Sequence, residues 1–187
     1  PEHAVVFCVD EKTAIQALDR LDPVLPLSPG RAERHGFEYQ RHGTLSLYAA
    51  FNTRTGEVLG KTAERHTSAE FVAFLGDLVA HQPKRREVHV ILDNSSTHST
   101  PAVDAWLAAH PRMQFHFTPT GASWLNLVEV WFSLLTRKSV RRGSFDTVKA
   151  LVTHIGRYIE TWNDQPTPFV WTKEPADLIR KVVRRKH

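Results

Sequence analysis

The chain has 187 residues, 41% apolar and 24% charged, which suits one domain with its own hydrophobic core and excludes a disordered or fibrous protein. No run approaches the ~18 apolar residues of a membrane span, and the N-terminus lacks a secretory leader pattern. The single cysteine, Cys8, excludes an internal disulfide or a thiolate zinc cluster, so a soluble cytoplasmic protein is expected. The 24 Lys+Arg outnumber the 20 Asp+Glu by four. The basic residues bunch at Lys84, Arg85 and Arg86, at Arg137, Lys138, Arg141 and Arg142, and from Arg180 to Lys186, a distribution that fits either solvated faces or an anionic partner.

Residues 4–9 form a short apolar, β-branched run that stops at Asp10 and Glu11, as a buried strand with acids at its end would. From Thr13 to Gln40 the pattern weakens under Pro23, Pro26, Pro29 and Gly30, and a long surface excursion with at most one helical turn is expected. Thr44 to Phe51 and Glu57 to Thr62 flank a turn-rich connection and predict a hairpin. Apolar residues at helical spacing predict a helix over 68–80, with Thr67 or Ser68 as N-cap. Val88 to Leu92 predicts a central strand that stops at Asp93. A helix over 101–109, a short strand over 114–117, a break at Thr118 to Gly121, and helices over 123–138 and 146–162 follow, with a helical tail over 174–185. This order suits an α/β layered fold whose early strands are antiparallel and whose later strands join by helical crossovers.

Asp10 and Asp93 each end a predicted buried strand, where ligands collect in open α/β sheets. At about 100° per residue, Leu127, Val130, Trp131 and Leu134 share one side of the third long helix, while Asn126, Glu129, Ser133 and Thr136 line the other. A turn residue, an N-cap and a solvated helix face would explain each of these singly. Together, if the two strands are neighbours and the helix packs across their ends, they bring three carboxylates into one oxygen-rich site suited to Mg²⁺ or Mn²⁺.

The segments FCVDEK, VHVILDNSSTHS and FHFTPTGASWLNLVEVWFSLL, then RRGSF and YIETWNDQPTPFVWTKEPADLIRK, resemble the DDE transposases of the mariner-like superfamily, and within it the bacterial insertion-sequence branch. The 35 residues between Asp93 and Glu129 are of the kind that superfamily has. The resemblance covers nearly the whole chain, including EKTAIQALDR after the first Asp.

The resemblance implies a ribonuclease H-like mixed sheet of three antiparallel strands followed by parallel ones, flanked by helices. It implies a catalytic triad of Asp10, Asp93 and Glu129 that holds two Mg²⁺ or Mn²⁺ ions, with Asn94, His98 and Asn126 as supporting polar positions. The implied activity is metal-dependent DNA cleavage followed by strand transfer into target DNA at a TA dinucleotide. The implied partners are element ends, target DNA and further copies of the chain in a dimer or higher assembly, at the bacterial nucleoid and away from membranes. Trp124, Arg137, Lys138, Arg141 and Arg142 are the candidate DNA contacts. Full transposases of this group carry N-terminal helix-turn-helix modules, and the sequence opens almost at the first catalytic strand, so an isolated catalytic domain is expected.

Two other readings share some of these features: a ribonuclease H-like nuclease acting on hybrids or structured DNA, and a non-catalytic DNA-binding regulator. The eleven histidines have no HExxH spacing, and neither a Gly-rich phosphate loop nor a nucleophilic-serine elbow is present.

Overall fold

The structure, a computed structural model, describes residues 3–21 and 38–170. The expected tail helix, the basic run from Arg180 and Trp171 lie outside the described residues. Five strands form one sheet in the order β3-β2-β1-β4-β5: β1 (Ala4–Arg20), β2 (Tyr39–Asn52), β3 (Val58–Ala63), β4 (Glu87–Leu92) and β5 (Met113–Phe117). The pairs β1–β2 and β2–β3 are antiparallel, whereas β1–β4 and β4–β5 are parallel. This is the mixed sheet expected from the sequence.

The first strand departs from expectation. β1 does not stop at Asp10 but runs through Arg20, over residues read from sequence as a surface excursion. Its alternation is hidden by a bulge: between Lys12 and Ile15 one extra residue enters β1, and Ala14 takes a positive φ of 53°. The slip reverses which residues face inward, so Cys8 and then Ile15 and Ala17 enter the same core cluster. A second irregularity, between Gln16 and Leu18, restores the register opposite Gly43, whose φ of 121° favours glycine.

Among the described residues, four helices cover the sheet. α1 (Ser68–Ala80) starts at a capping box in which Thr67 and Glu70 satisfy each other's backbone N–H. It buries Phe71, Phe74, Leu75 and Leu78 against Val5, Phe7, Val9, Tyr48, Val88 and Val90, together with Val103 of α2 (Pro101–Ala109). On the opposite face, α3 (Leu127–Lys138) and α4 (Val148–Asp164) pack Val128, Trp131, Phe132, Leu135, Leu151 and Ile155 against Cys8, Leu47, Ala49 and Phe51. The sequence reading of α3 requires correction in two respects. Residues 123–125 form a separate 3₁₀ turn, and the buried stripe is Leu127, Val128, Trp131, Phe132 and Leu135, leaving Val130 exposed. α4 likewise begins after Thr147, whose hydroxyl accepts from the Ala150 N–H at 3.1 Å, rather than at Asp146.

Cys8 is a core residue, 1% exposed, and burial raises its thiol pKa. Phe169 stacks on Phe51 with centroids 4.7 Å apart, and Trp162 donates to the Gly56 carbonyl at 2.8 Å. No helix among the described residues is long and apolar enough to cross a membrane.

Candidate active site

β1 and β4 run side by side in parallel, and their last paired residues are Cys8 and Ile91. Asp10 and Asp93 each lie two positions further on. Beyond this point β4 ends at Leu92, while β1 continues along β2 alone. Asp10 and Asp93 thus stand at the carboxyl end of the parallel pair, the place where open α/β sheets gather ligands.

The third carboxylate arrives on α3. After β5 the chain turns through Pro119 to Ala122, with Gly121 at φ 75°, into the 3₁₀ turn and then Asn126, which caps α3. Asn126 is fully buried; its amide donates to the Val9 carbonyl at 2.8 Å and reaches the Asp10 Oδ2 at 3.5 Å. The helix N-terminus is therefore fastened to β1 one residue before Asp10, and Glu129 follows in the first turn. Sequence periodicity had put Asn126 on the polar helix stripe. As the N-cap it instead turns inward, and its Oδ1 is buried without a hydrogen-bond partner.

The resulting field is strongly acidic. Asp10 is 6% exposed, and its carboxyl pKa is pushed up to about 7, first by burial and then by the charges of Asp93, Glu11 and Glu129, against the Glu11 N–H that donates to it at 2.8 Å. Glu129, an exposed residue in the first turn of α3, is raised too, by partial desolvation, with Asp93 and Glu11 adding to the rise and Lys12 opposing it. Asp93 and Glu129 act on Asp10 through their charges, but neither belongs to the group of ligand atoms that lie close together around Asp10 among the described residues; Lys12 supplies a local cation that the sequence had not revealed.

Glu11 is the residue the sequence reading missed. In a strand it should face away from Asp10, and it does, toward α1 and the 3₁₀ turn Ser96–His98. At the open end of the sheet both faces meet the same space, so single ligand atoms of Asp10, Glu11 and His98 lie within 4.8 Å of one another. His98, 1% exposed, bridges two acids: Nε2 stands 3.0 Å from Glu11 Oε2 and Nδ1 3.1 Å from Asp93 Oδ1. Burial alone would lower the His98 pKa, but these two carboxylates hold it above the ordinary value. The signal available in the sequence was the adjacency of Asp10 and Glu11, together with a histidine five residues after Asp93.

The remaining candidates are spread further out. Asn94 donates to the Thr118 carbonyl at 2.6 Å and so ties the β4 end to the β5 end. Trp124 is half-buried in the 3₁₀ turn before α3. Arg137 and Lys138 occupy the exposed last turn of α3, where cations also suit the helix dipole. Arg137 lies about 12 Å along the axis from Glu129. Arg141 and Arg142 are exposed in the next 3₁₀ turn, Val140–Arg142. None of these four cations joins the carboxylate cluster; they flank it.

The family model described as "DDE superfamily endonuclease" matches residues 5–152, a span that contains all four carboxylates and His98. The chain belongs to the DDE endonuclease superfamily. The DDE domain also aligns with solved transposase structures. A pre-cleavage Mos1 transpososome matches with a TM-score of 0.62 at 14% identity, over 97% of this chain and 52% of that one. The Mos1 mariner paired end complex with Mn matches with a TM-score of 0.62 at 14% identity, over 98% and 52%. The catalytic domain of Mos1 mariner transposase matches with a TM-score of 0.58 at 13% identity, over 97% and 76%. At these identities the likeness is one of fold, and the chain spans about half the length of the transpososome protein. No curated protein sequence matches the chain.

DDE catalytic domains use divalent metals, and the donor set fits one. Hard carboxylate oxygens and an imidazole nitrogen within 4.8 Å of one another, from Asp10, Glu11 and His98, suit a divalent cation.

Proposed function

We propose that the DDE domain is the catalytic part of a mariner-like transposase of the bacterial insertion-sequence branch, cleaving DNA strands and joining the freed 3′ ends to target DNA. The single observation that supports this reading best is the placement of Asp10 and Asp93, each two residues beyond the last pair of the adjacent parallel strands β1 and β4, with the α3 cap fastened beside Asp10. Asp10, Asp93 and Glu129 would hold two Mg²⁺ or Mn²⁺ ions, the solved Mos1 complex with Mn being a fold relative. When bound, such a pair acidifies the attacking hydroxyl or water and offsets charge at the phosphate and leaving oxygen.

The chain's own residues fix the geometry. Asn126 fastens the α3 cap beside the Asp10 carboxylate, and His98 orients Asp93 from one ring nitrogen while its other nitrogen is held by Glu11. Lys12, beside Glu129, contributes positive charge where a phosphate would enter. Arg137, Lys138, Arg141 and Arg142 give flanking phosphate contacts, so binding should weaken steeply with salt. Assembly of two or more copies on DNA follows from the need to hold two ends.

The test is nicking of duplex DNA with Mg²⁺ or Mn²⁺ by wild type and Asp93→Asn. Cleavage by the wild type alone supports the reading. Cleavage confined to RNA/DNA hybrids would replace it with a ribonuclease H-like nuclease, and binding without cleavage would replace it with a regulatory fragment.

A further inference from the structure

We infer that the surface groove between the distal half of β1 and the α3 end is a binding track for a single DNA strand leading out of the active site. The inference rests on the nuclease reading above and adds the form of the substrate that occupies this channel. The groove, of about 630 Å³, is walled on one side by β1 from Lys12 to Arg20 and on the other by Thr136, Val140 and Arg141.

Two features join it to the carboxylates. Thr136 lies seven residues after Glu129, hence on the same helical face two turns further along. Lys12, at the groove's near end, is the cation that acts on Glu129. The eight steps of strand from Lys12 to Arg20 extend roughly 26 Å, so the track is long enough for several nucleotides.

Its chemistry is that of a single-strand site. The groove holds Lys12, Arg20 and Arg141, and among the described residues no carboxylate lines it. Tyr39 sits opposite Arg20 in the β1–β2 ladder and is 45% exposed, an aromatic that burial does not explain. A cationic groove carrying an exposed aromatic is how proteins bind unpaired strands without reading sequence, because each base has a face to stack. A duplex keeps its bases stacked inside and offers none to Tyr39.

The two walls are also fastened together. Arg20 donates to the Arg141 carbonyl, the Arg20 N–H donates to Ser144 Oγ at 2.7 Å, and the Phe145 N–H donates to the Leu18 carbonyl at 2.8 Å. The bulge at Ala14 bends β1 within this groove. The long β1 extension, which pairs with β2 alone, thereby gains a role as the groove's outer wall.

The experiment measures binding in EDTA, where no cleavage occurs, by fluorescence anisotropy on a blunt duplex and on the same duplex with an oligothymidine extension. Wild type, Tyr39→Ala and Tyr39→Phe are compared, with circular dichroism to verify folding. The expected result is tighter binding of the extended duplex by wild type and Tyr39→Phe, and loss of that preference by about fivefold or more in Tyr39→Ala. Equal affinity for the two DNAs, or a preference that survives Tyr39→Ala, would overturn the inference. Failure of wild-type cleavage in Mn²⁺ would instead count against the nuclease reading, since the binding measurement does not depend on it.

Discussion

The side-chain amide of Asn126 donates to the backbone carbonyl of Val9 at 2.8 Å, across 117 residues of sequence. One hydrogen bond thus sets where α3 begins relative to β1, and with it how far Glu129 stands from Asp10. Replacing Asn126 with Ala leaves the buried Val9 carbonyl unpaired, at a cost of about 1–3 kcal/mol. Denaturant unfolding without metal should report that loss. Cleavage should fall further than the lost stability explains, because the cap no longer registers Glu129 against Asp10.

Stability without metal should decline as pH rises. The Asp10 carboxyl, ordinarily near 3.8, is pushed up to about 7 in the fold. Below the ordinary value both folded and unfolded chains hold the proton; between the two values only the folded chain does, so raising the pH favours unfolding, and the effect levels off above 7. About three pH units correspond to at most about 4 kcal/mol. The raised pKa values of Glu129 and His98 act in the same direction. Melting temperatures across pH 4 to 8 in EDTA should fall, and Asp10→Asn should flatten much of the slope.

Divalent cations should reverse that decline. A cation that binds only the folded chain adds about 2.7 kcal/mol at a hundred times its Kd. Adding Mn²⁺ at pH 8 should therefore raise the melting temperature of the wild type and leave Asp10→Asn nearly unchanged. An equal rise in both would place the binding elsewhere.

Much of this site was legible in the sequence, for reasons that particular residues make plain. Asp10 and Asp93 stood out because each ends an apolar run; at Asp93 this marks the end of β4, whereas β1 continues past Asp10 to Arg20, and the register of the two parallel strands makes the two acids neighbours. The hairpin, α1 and α2 followed from turn chemistry and helical spacing. The extension of β1 was hidden because the bulge at Ala14 breaks the two-residue period, so Ile15 and Ala17 fall out of phase with Cys8. Asn126 was misplaced because periodicity carries no information on where a helix starts. Glu11 was overlooked because strand alternation puts it on the opposite face from Asp10, and only the departure of β4 lets ligand atoms of both come together.

His98 should behave as a positioning residue. It touches Glu11 and Asp93 at 3.0 and 3.1 Å, and partners that orient metal-binding groups typically contribute 10–100-fold to metal affinity or activity, here about that range for His98→Ala. Titration of Mn²⁺ should show weaker binding in that variant at an unchanged number of sites. Direct loss of Asp93 or Glu129, by Asn or Gln replacement, should be more severe, beyond about a hundredfold in nicking rate.

Anomalous scattering from crystals soaked in Mn²⁺ shows whether Asp10, Asp93 and Glu129 form one cation-binding centre. The expected result is Mn²⁺ density coordinated by oxygens of all three residues. Density held by Asp10, Glu11 and His98, with Asp93 and Glu129 uncoordinated, would contradict it.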